Sequence, residues 1–465
     1  MKTIDILRKF EKDTKKKFGT EVYIVGGYVR DFLRRKKNKD LDIVIRNISL
    51  NDAQKYLRRF GKTKRLTIHN ISGKESVTFI LFRNKNDSME AQIALVKGYG
   101  KFKGKLNAPL KHDSKQRDFT INAMYLPINE RSAKGIIDFH GGRNDISARQ
   151  ILSVESAKDK FVKSPIRILR AFSMAGRTGY TIANHVKHAI EECAYMLKKV
   201  SGETIRLELE EILLSAKPSV QLKTMQKLGV LKVILPELEA CVGCYQDKKY
   251  HKYDVFTHLV YTCDNIEADL VLRLAGLLHD IGKPIVRKII RKKITFYKHE
   301  VIGAKESIVI LERLHFDKAT IGRVSHLVRM HMYHYTREYT DAGVRRFINN
   351  AGITKDDIND IGNFPLFKIR RAERLGNGFK IQGVTQRQLD FEKRLVRIFK
   401  DSSGLAIQDL AVDGKALMKV LKLPQGKKIG TILNHLLDLI MDSPELNKKE
   451  LLMHHALDYM MKETK

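Results

Sequence analysis

EVYIVGGYVRDFLRRKKNKDLDIVI, residues 21–45, decides how this chain is read. An apolar strand over 22–25 runs into Gly26-Gly27, then a basic helix start, then a second strand carrying Asp40 and Asp42. Side chains alternate along a strand, so the two carboxylates fall on one face, about 6.5 Å apart at roughly 3.3 Å per residue, while Leu41 and Ile43 face the core. Hard carboxylate oxygens so placed suit Mg²⁺, and a pair of such ions activates an attacking hydroxyl and stabilises the leaving oxygen of an in-line displacement at phosphorus. Gly26 and Gly27 have no Cβ, so backbone N–H groups can approach a phosphate at the start of the following helix, whose positive dipole end favours anions. Arg30 adds a fixed cation. Alone, D-x-D is most often a pair of exposed loop carboxylates; beside the glycine turn and the cation it reads as a site for metal ions and a triphosphate.

The 465 residues are enough for two to four domains with sizeable cores. Lys plus Arg number 87 against 53 for Asp plus Glu, an excess of 34 that no single low-complexity tail holds. A positive field so distributed fits a polyanion; the plain alternative is a basic protein from a Lys-rich proteome. Ile4, Leu7 and Phe10 recur at helical spacing with charges between them, unlike the uninterrupted apolar core of a signal peptide. No apolar run approaches the roughly 20 residues of a membrane span. Four cysteines in so long a chain argue against a disulfide framework and for a reducing, cytoplasmic setting. Cys241-x-x-Cys244, with His251 nearby, has no second pair at zinc-ligand spacing and reads as ordinary thiols.

Strands are expected over 22–25, 41–45, 76–82 and 89–96, and after Gly141-Gly142 the pattern becomes helix upon helix. The fold class is therefore α+β, a head with a small mixed β-sheet followed by all-α domains. Pro218, Pro236 and the stretch 376–383 punctuate the helical part.

With VGGYVRD just upstream of Asp40 and Asp42, the first stretch resembles the signature of the class II tRNA nucleotidyltransferase and bacterial poly(A) polymerase family. QRDFTINA at 116–123 is similar to the family's R-R-D-F-T-I-N-A, with Gln116 in place of the first Arg. By that resemblance Asp118 contacts the ribose 2′-hydroxyl, a hydrogen bond a deoxyribose cannot donate, and Arg117 and Asn122 help hold the nucleotide. An ordinary capped helix near Asp118 is the alternative for this motif taken alone. IDFHGGRNDI, 137–146, resembles the family's flexible joint between head and neck. FVKSPIRILRAFSMAGRTGY, 161–180, is similar to the neck helix whose Glu-Asp-x-x-Arg reads the incoming base; Arg167 and Arg170 remain, but Lys163-Ser164 replace Glu-Asp. Ser164 is a neutral donor and acceptor where Asp is a charged acceptor, so nucleotide choice is open at this point. ETIRLEL at 203–209 resembles the next neck motif, with a Glu203–Arg206 pair at i,i+3 spacing.

His258, His279-Asp280, His299 and His331 form a second constellation, which resembles the HD metal-dependent phosphohydrolase domain of some bacterial members. Imidazole and carboxylate groups can hold a second divalent metal that acidifies water for attack on a phosphate. Where such a domain's last ligand is Asp, Glu373 stands here. His326 and His334 read as surface or packing residues. VRKIIRKKITFYKH, 286–299, alternates apolar and basic positions like a hairpin with one cationic face, either a solvated edge or an RNA-phosphate contact. The final stretch, 409–452, resembles the C-terminal domain of HD-containing members, and its LPQGKKIG turn could present N–H groups and lysines to RNA.

The resemblance thus implies a head at 1–145, a nucleotide- and RNA-binding neck at 146–235, an HD domain at 236–380 and a C-terminal RNA-binding domain at 381–465. It implies a template-independent RNA 3′-terminal nucleotidyltransferase using Mg²⁺, CTP and ATP on the 3′ end of tRNA, with no membrane partner. Poly(A) addition, or hydrolysis of phosphates on RNA ends or nucleotides, is the alternative.

Overall fold

The structure is a computed structural model; it describes residues 3–38, 40–68, 74–82, 88–96, 105–249, 251–333, 335, 339–380, 382–401 and 406–463. Two compact units divide the chain, Met1–Pro236 and Glu237–Lys465.

The first unit is built on a seven-stranded sheet. Its strands are β1 (Glu21–Val25), β2 (Leu41–Arg46), β3 (Lys62–Ile68), β4 (Lys74–Phe82), β5 (Ser88–Leu95), β6 (Met124–Pro127) and β7 (Ile137–Asp138), ordered β3-β4-β5-β2-β1-β6-β7. Every pairing is antiparallel except β2 with β5, so the sheet is mixed, as expected. The four anticipated strands are all present. β3, KTKRLTI, is too rich in cations to read as a strand, and β6 and β7 are too short to show alternation.

Period-two alternation decides which face each residue serves. Ile24, Leu41, Ile43 and Ile45 pack under helix Thr3–Phe18, through Ile6, Leu7 and Phe10, and under helix Leu50–Leu57, through Ala53 and Leu57. Val25, Val44 and Tyr125 belong to a smaller apolar cluster on the other side. Asp42 shares parity with Val44, so the acidic residue stands on the face opposite the main core.

The expected single neck helix is two. Helix Ala157–Lys163 ends at Ser164 in an extended conformation, and helix Ile166–Thr178 starts after Pro165, because the residue before a proline is pushed out of the helical region. Helix Gly202–Leu213 carries the next motif; there Arg206 pairs with Glu210, 3.0 Å away at i,i+4.

In the second unit, helices Val255–Asp264, Leu270–Leu278, His299–Arg313, Lys318–Met330 and Pro365–Gly376 surround the HD residues. Lys288–Ile290 and Lys293–Thr295 form the anticipated basic hairpin. A separate apolar cluster around Leu417, Ile432, Leu436 and Leu452 unites the last helices. No helix among the described residues is long and apolar enough to cross a membrane.

Candidate active site and metal centre

Asp42 is exposed between buried Leu41 and Ile43, and lies across the ladder from Val25, the residue before the glycine turn. The strand begins at Leu41, so Asp40 stands just outside it, exposed, its backbone N–H donating to Asn38 Oδ1 at 2.8 Å. Gly26 has a φ of 68°, and a Cβ built there would lie 2.9 Å from Asp42 Oδ2. Both the backbone conformation and the space therefore require glycine, and the turn and the carboxylate are in contact. Helix Gly27–Leu33 starts at this turn with no side chain capping its first N–H groups.

Arg30, read as a fixed cation, is fixed by burial and by its partners. It is 2 % exposed, with Nε and Nη2 on the two oxygens of Asp31 at 3.0 and 2.7 Å, and Nη1 on Asn122 Oδ1 at 3.0 Å and Met174 Sδ at 3.4 Å. A buried guanidinium is tolerable only when its donors are filled this way. Asp31 also accepts from Arg34 and Asn38, and these bonds, with burial opposing them, hold its carboxyl below the usual range. Arg30 is thus a brace between the glycine turn, the 117–122 segment and the neck.

Arg117 is likewise internal. Its Nε and Nη2 reach Asp113 Oδ2 at 3.2 and 3.1 Å, and Tyr125 Oη donates to the same oxygen at 2.7 Å. Burial and the neighbouring Asp113 push the Tyr125 hydroxyl well above its ordinary pKa. Asp118 remains half-buried, with Oδ1 accepting from the Phe119 N–H at 2.9 Å and Oδ2 3.6 Å from Arg170 Nη1. Arg170 also reaches Glu208 at 3.2 Å. Asp118, Arg170 and Glu208 thus form a chain from the head motif to the neck.

The two departures from the family pattern meet. Lys163 Nζ donates to Gln116 Oε1 at 2.8 Å, and Arg167 Nη2 donates to the Gln116 carbonyl at 2.8 Å. Ser164 sits half-buried at the break between the two helices, its carbonyl accepting from Arg167 N at 3.1 Å. In the 137–146 segment, the Asp138 carboxylate accepts from the N–H groups of His140, Gly142 and Arg143. Gly142 lies so close to the Thr120 carbonyl that a Cβ would overlap it. This joint is packed onto the 118–122 segment. Asp31, Asp113 and Glu208 were not singled out in the sequence, although Asp31 and Asp113 lie within four residues of the arginines they hold.

The second site collects five side chains from four places in the chain. Asp280 is central: Oδ2 lies 3.3 Å from His279 Nε2 and 3.7 Å from His258 Nε2, and Oδ1 lies 3.2 Å from His299 Nε2 and 3.6 Å from His331 Nε2. His279, His299 and His331 each place Nδ1 against a backbone carbonyl, of Gly276, Phe296 and Val328, at 2.9, 2.8 and 2.7 Å. A carbonyl can only accept, so Nδ1 carries a proton, and in the neutral form of each ring it is Nε2 that turns a lone pair toward the centre. His299 and His331 Nε2 are 3.3 Å apart and His258 and His279 Nε2 3.2 Å apart. Lone pairs that converge on one another and on a carboxylate are the donor set of a divalent cation, in two groups that share Asp280.

Burial and His279 push His258 down to about 3, and burial pushes His331 down, so both are neutral at pH 7, as ligation requires. Lys283, 7 % exposed, donates to Asp280 Oδ2 at 2.6 Å and to Gln246 Oε1 at 2.7 Å. Glu373 lies outside both groups. It binds Arg370 at 2.9 Å, while its charge acts on His279, His331 and His258 from beside them. His326 accepts no metal-site role, contacting the Ala351 carbonyl; His334 lies outside the described residues. Cys241 and Cys244 are buried free thiols, raised by burial, as read from the sequence.

A mixed sheet with a carboxylate packed on a Gly-Gly turn, joined to a histidine-aspartate centre, defines a nucleotidyltransferase head with an HD domain. Residues 22–152 match the Poly A polymerase head domain, 179–242 the probable RNA and SrmB-binding site of polymerase A, and 249–397 the HD domain. The chain is 30% identical over 339 residues to an A-adding tRNA nucleotidyltransferase of Deinococcus radiodurans, covering 70% of this chain and 74% of that one. It belongs to the class II tRNA nucleotidyltransferase and bacterial poly(A) polymerase family, and is an enzyme of that class. A CC-adding tRNA nucleotidyltransferase of Thermus thermophilus is 25% identical over 90% of this chain and 89% of its own length. The fold matches a Bacillus stearothermophilus CCA-adding enzyme in complex with CTP, with a TM-score of 0.68 and 19% identity, over 100% of this chain and 99% of that one.

Proposed function

We propose that this enzyme adds CCA, or part of it, to tRNA 3′ ends in the cytoplasm, from CTP and ATP. The observation that carries this reading is the contact of the Asp42 carboxylate with the Gly26 turn, on the sheet face opposite the main core, in a chain whose relatives bear the names A-adding, CC-adding and Multifunctional CCA protein. Asp40 and Asp42, exposed hard oxygen donors, are the residues to hold Mg²⁺, which when bound activates the 3′-hydroxyl and neutralises the leaving pyrophosphate oxygen. The turn at Gly26-Gly27 leaves room for the triphosphate. Arg30 holds Asn122 in place, and Arg117 fixes the 117–125 segment through Asp113, so that both act behind the nucleotide. The basic surface, with hairpin residues such as Arg291 and Lys292, meets the RNA backbone and sets binding without reading sequence.

Incubating tRNA lacking its 3′ end with each NTP singly and together, then mapping products, tests this. One or two C residues, a single A, or CCA supports it; a long A tract transfers the reading to poly(A) addition, and no incorporation rejects it.

Asp118 selects ribose in this scheme. Asp118→Ala removes the acceptor and leaves Arg170 with Glu208, so the fold is expected to survive while the preference for ATP over dATP falls by about 10-fold or more, the worth of a hydrogen bond of about 1.5 kcal/mol. An unchanged ratio of kcat/KM returns the residue to a purely structural place.

Lys163-Ser164 leaves Arg167 without the family's carboxylate. A lost buried acceptor costs about 1–3 kcal/mol, or roughly 5- to 150-fold, enough to blur CTP against UTP and ATP against GTP. Ser164→Asp is expected to sharpen that selectivity, since the new charge would lie beside Arg167. The four NTP values of kcat/KM decide it: wild-type selectivity already sharp and unmoved by the substitution rejects the idea.

The HD centre supports a second activity, hydrolysis of phosphate esters on nucleotides or RNA ends. When bound, a divalent ion there would acidify water; the chain's part is to hold four imidazoles around Asp280, three of them with Nδ1 tied to a backbone carbonyl, and to place Lys283 beside them.

A further inference from the structure

A cavity of about 530 Å³ in the second unit, lined by Tyr333, Tyr335, Arg370, Arg374, Thr385 and Arg387 among others, has no part in the chemistry described so far. Two of its walls come from segments that lead out of or run beside the histidine centre. Tyr333 and Tyr335 follow the ligand residue His331 directly in the chain. Arg370 and Arg374 lie one turn apart on helix Pro365–Gly376, and Glu373, between them, is the residue whose charge acts on the histidines.

The lining is cationic and aromatic. Arg370 is clamped by Glu373 at 2.9 Å and sits over the rings of Tyr333 and Tyr335, at 5.7 and 5.3 Å from their centroids. Tyr333 is itself fixed in an aromatic cluster with Phe347, Phe367 and Phe391. Among the described residues Arg374 bonds through Nε alone, to the Gln382 carbonyl at 3.0 Å. Arg387 is exposed at the start of the sixteen-residue helix Gln386–Asp401 and has no ion-pair partner among the described residues. Three arginines against one glutamate leave an excess of two positive charges. A phosphate monoester carries about −1.5 to −2 at pH 7, and arginine forks match its oxygens. The volume lies within the roughly 300–1,000 Å³ of small-molecule sites, far more than a bare phosphate fills, and Tyr335 offers a ring to a planar group.

We infer that this cavity binds a nucleoside monophosphate unit, free or at the end of an RNA, with its phosphate on Arg374 and Arg387 and its base toward Tyr335. No histidine-centre residue lines the cavity, so its binding is separable from hydrolysis there.

The chain contains no Trp, so Tyr335→Trp places a single indole in the cavity of the full-length protein, and its emission reports this site and not the head. With metal removed by EDTA, AMP is expected to change the emission saturably, and inorganic phosphate and adenosine to bind at least about 10-fold more weakly. Arg387→Ala or Arg374→Ala in that background should weaken AMP by about 10- to 100-fold, with Arg387→Lys recovering part of the loss. A short RNA bearing a terminal phosphate, compared with the same RNA without it, tells the RNA end from the free nucleotide as the source; a response to either supports the site. No saturable response to AMP or to the phosphorylated RNA, affinity untouched by both alanine variants, or phosphate binding as tightly as AMP, would overturn it. If AMP binds as expected and the metal-loaded protein hydrolyses no phosphate ester, the pocket stands and the hydrolytic reading of the histidines fails.

Discussion

Asp42→Ala is expected to lower nucleotide transfer by about 10³-fold while leaving tRNA affinity within about 2-fold. Removing a carboxylate that holds a catalytic ion forfeits several kcal/mol of charge stabilisation in the transition state, and about 4 kcal/mol corresponds to that factor. Affinity for tRNA stays because it is a sum of lysine and arginine contacts to phosphates, to which one exposed carboxylate contributes little. Stability stays because Asp42 is exposed between two buried neighbours, and its substitution removes no core contact. Single-turnover incorporation of labelled CTP, with filter binding of the tRNA in parallel, reads both quantities. Incorporation within 10-fold of wild type would end the assignment of metal ligation to this residue.

Asp280→Ala is expected to do the converse: metal content of the purified protein falls to background, hydrolysis of phosphate esters drops by at least about 10²-fold, and transfer persists. One carboxylate faces all four imidazoles, so both metal groups lose a ligand at once. The change also strips Lys283 of its partner, and breaking a buried pair from one side costs about 3–5 kcal/mol, so the melting temperature of the second unit falls too. His258→Ala separates the two effects. It removes a ligand from one group only and leaves the Lys283–Asp280 pair in place. A metal content unchanged in Asp280→Ala would reduce the histidine cluster to a packing device.

Both sites were legible from residue types at short range. Gly26-Gly27 with D-x-D beginning thirteen residues on pointed to the first, and an adjacent His279-Asp280 with three further histidines pointed to the second. Their internal geometry was not, because it depends on partners far along the chain. Arg30 was read as a fixed cation, but what fixes it was hidden, since Asn122, 92 residues on, and Met174, 144 residues on, close around it only in the folded unit. Arg117 was drawn inward by Asp113 and Tyr125. The neck break at Ser164-Pro165 was written in the sequence as a proline, and was overridden by the strong apolar periodicity that continues on both sides. Asp280 as a bridge between two pairs of imidazoles follows from helices that meet in space, which no spacing of ligands along a chain specifies.

Arg30's clasp also bears on how the chain can be cut. Head and neck read as separate pieces in the sequence, with a seam near residue 145, yet the first unit runs unbroken to Pro236. Across that seam lie the Arg30–Met174 contact, the Arg34 bond to the Thr178 carbonyl at 2.9 Å, the Arg167 bond to the Gln116 carbonyl and the Asp118–Arg170 pair. Excising residues 1–145 would open the Met174 side of a guanidinium that is otherwise sealed, and would strip Asp118 of the partner that orders it. The head is therefore expected to lose stability when transplanted onto another RNA-binding body. A chimaera that exchanges nucleotide choice with a relative is expected to fold best when it takes the neck along with it.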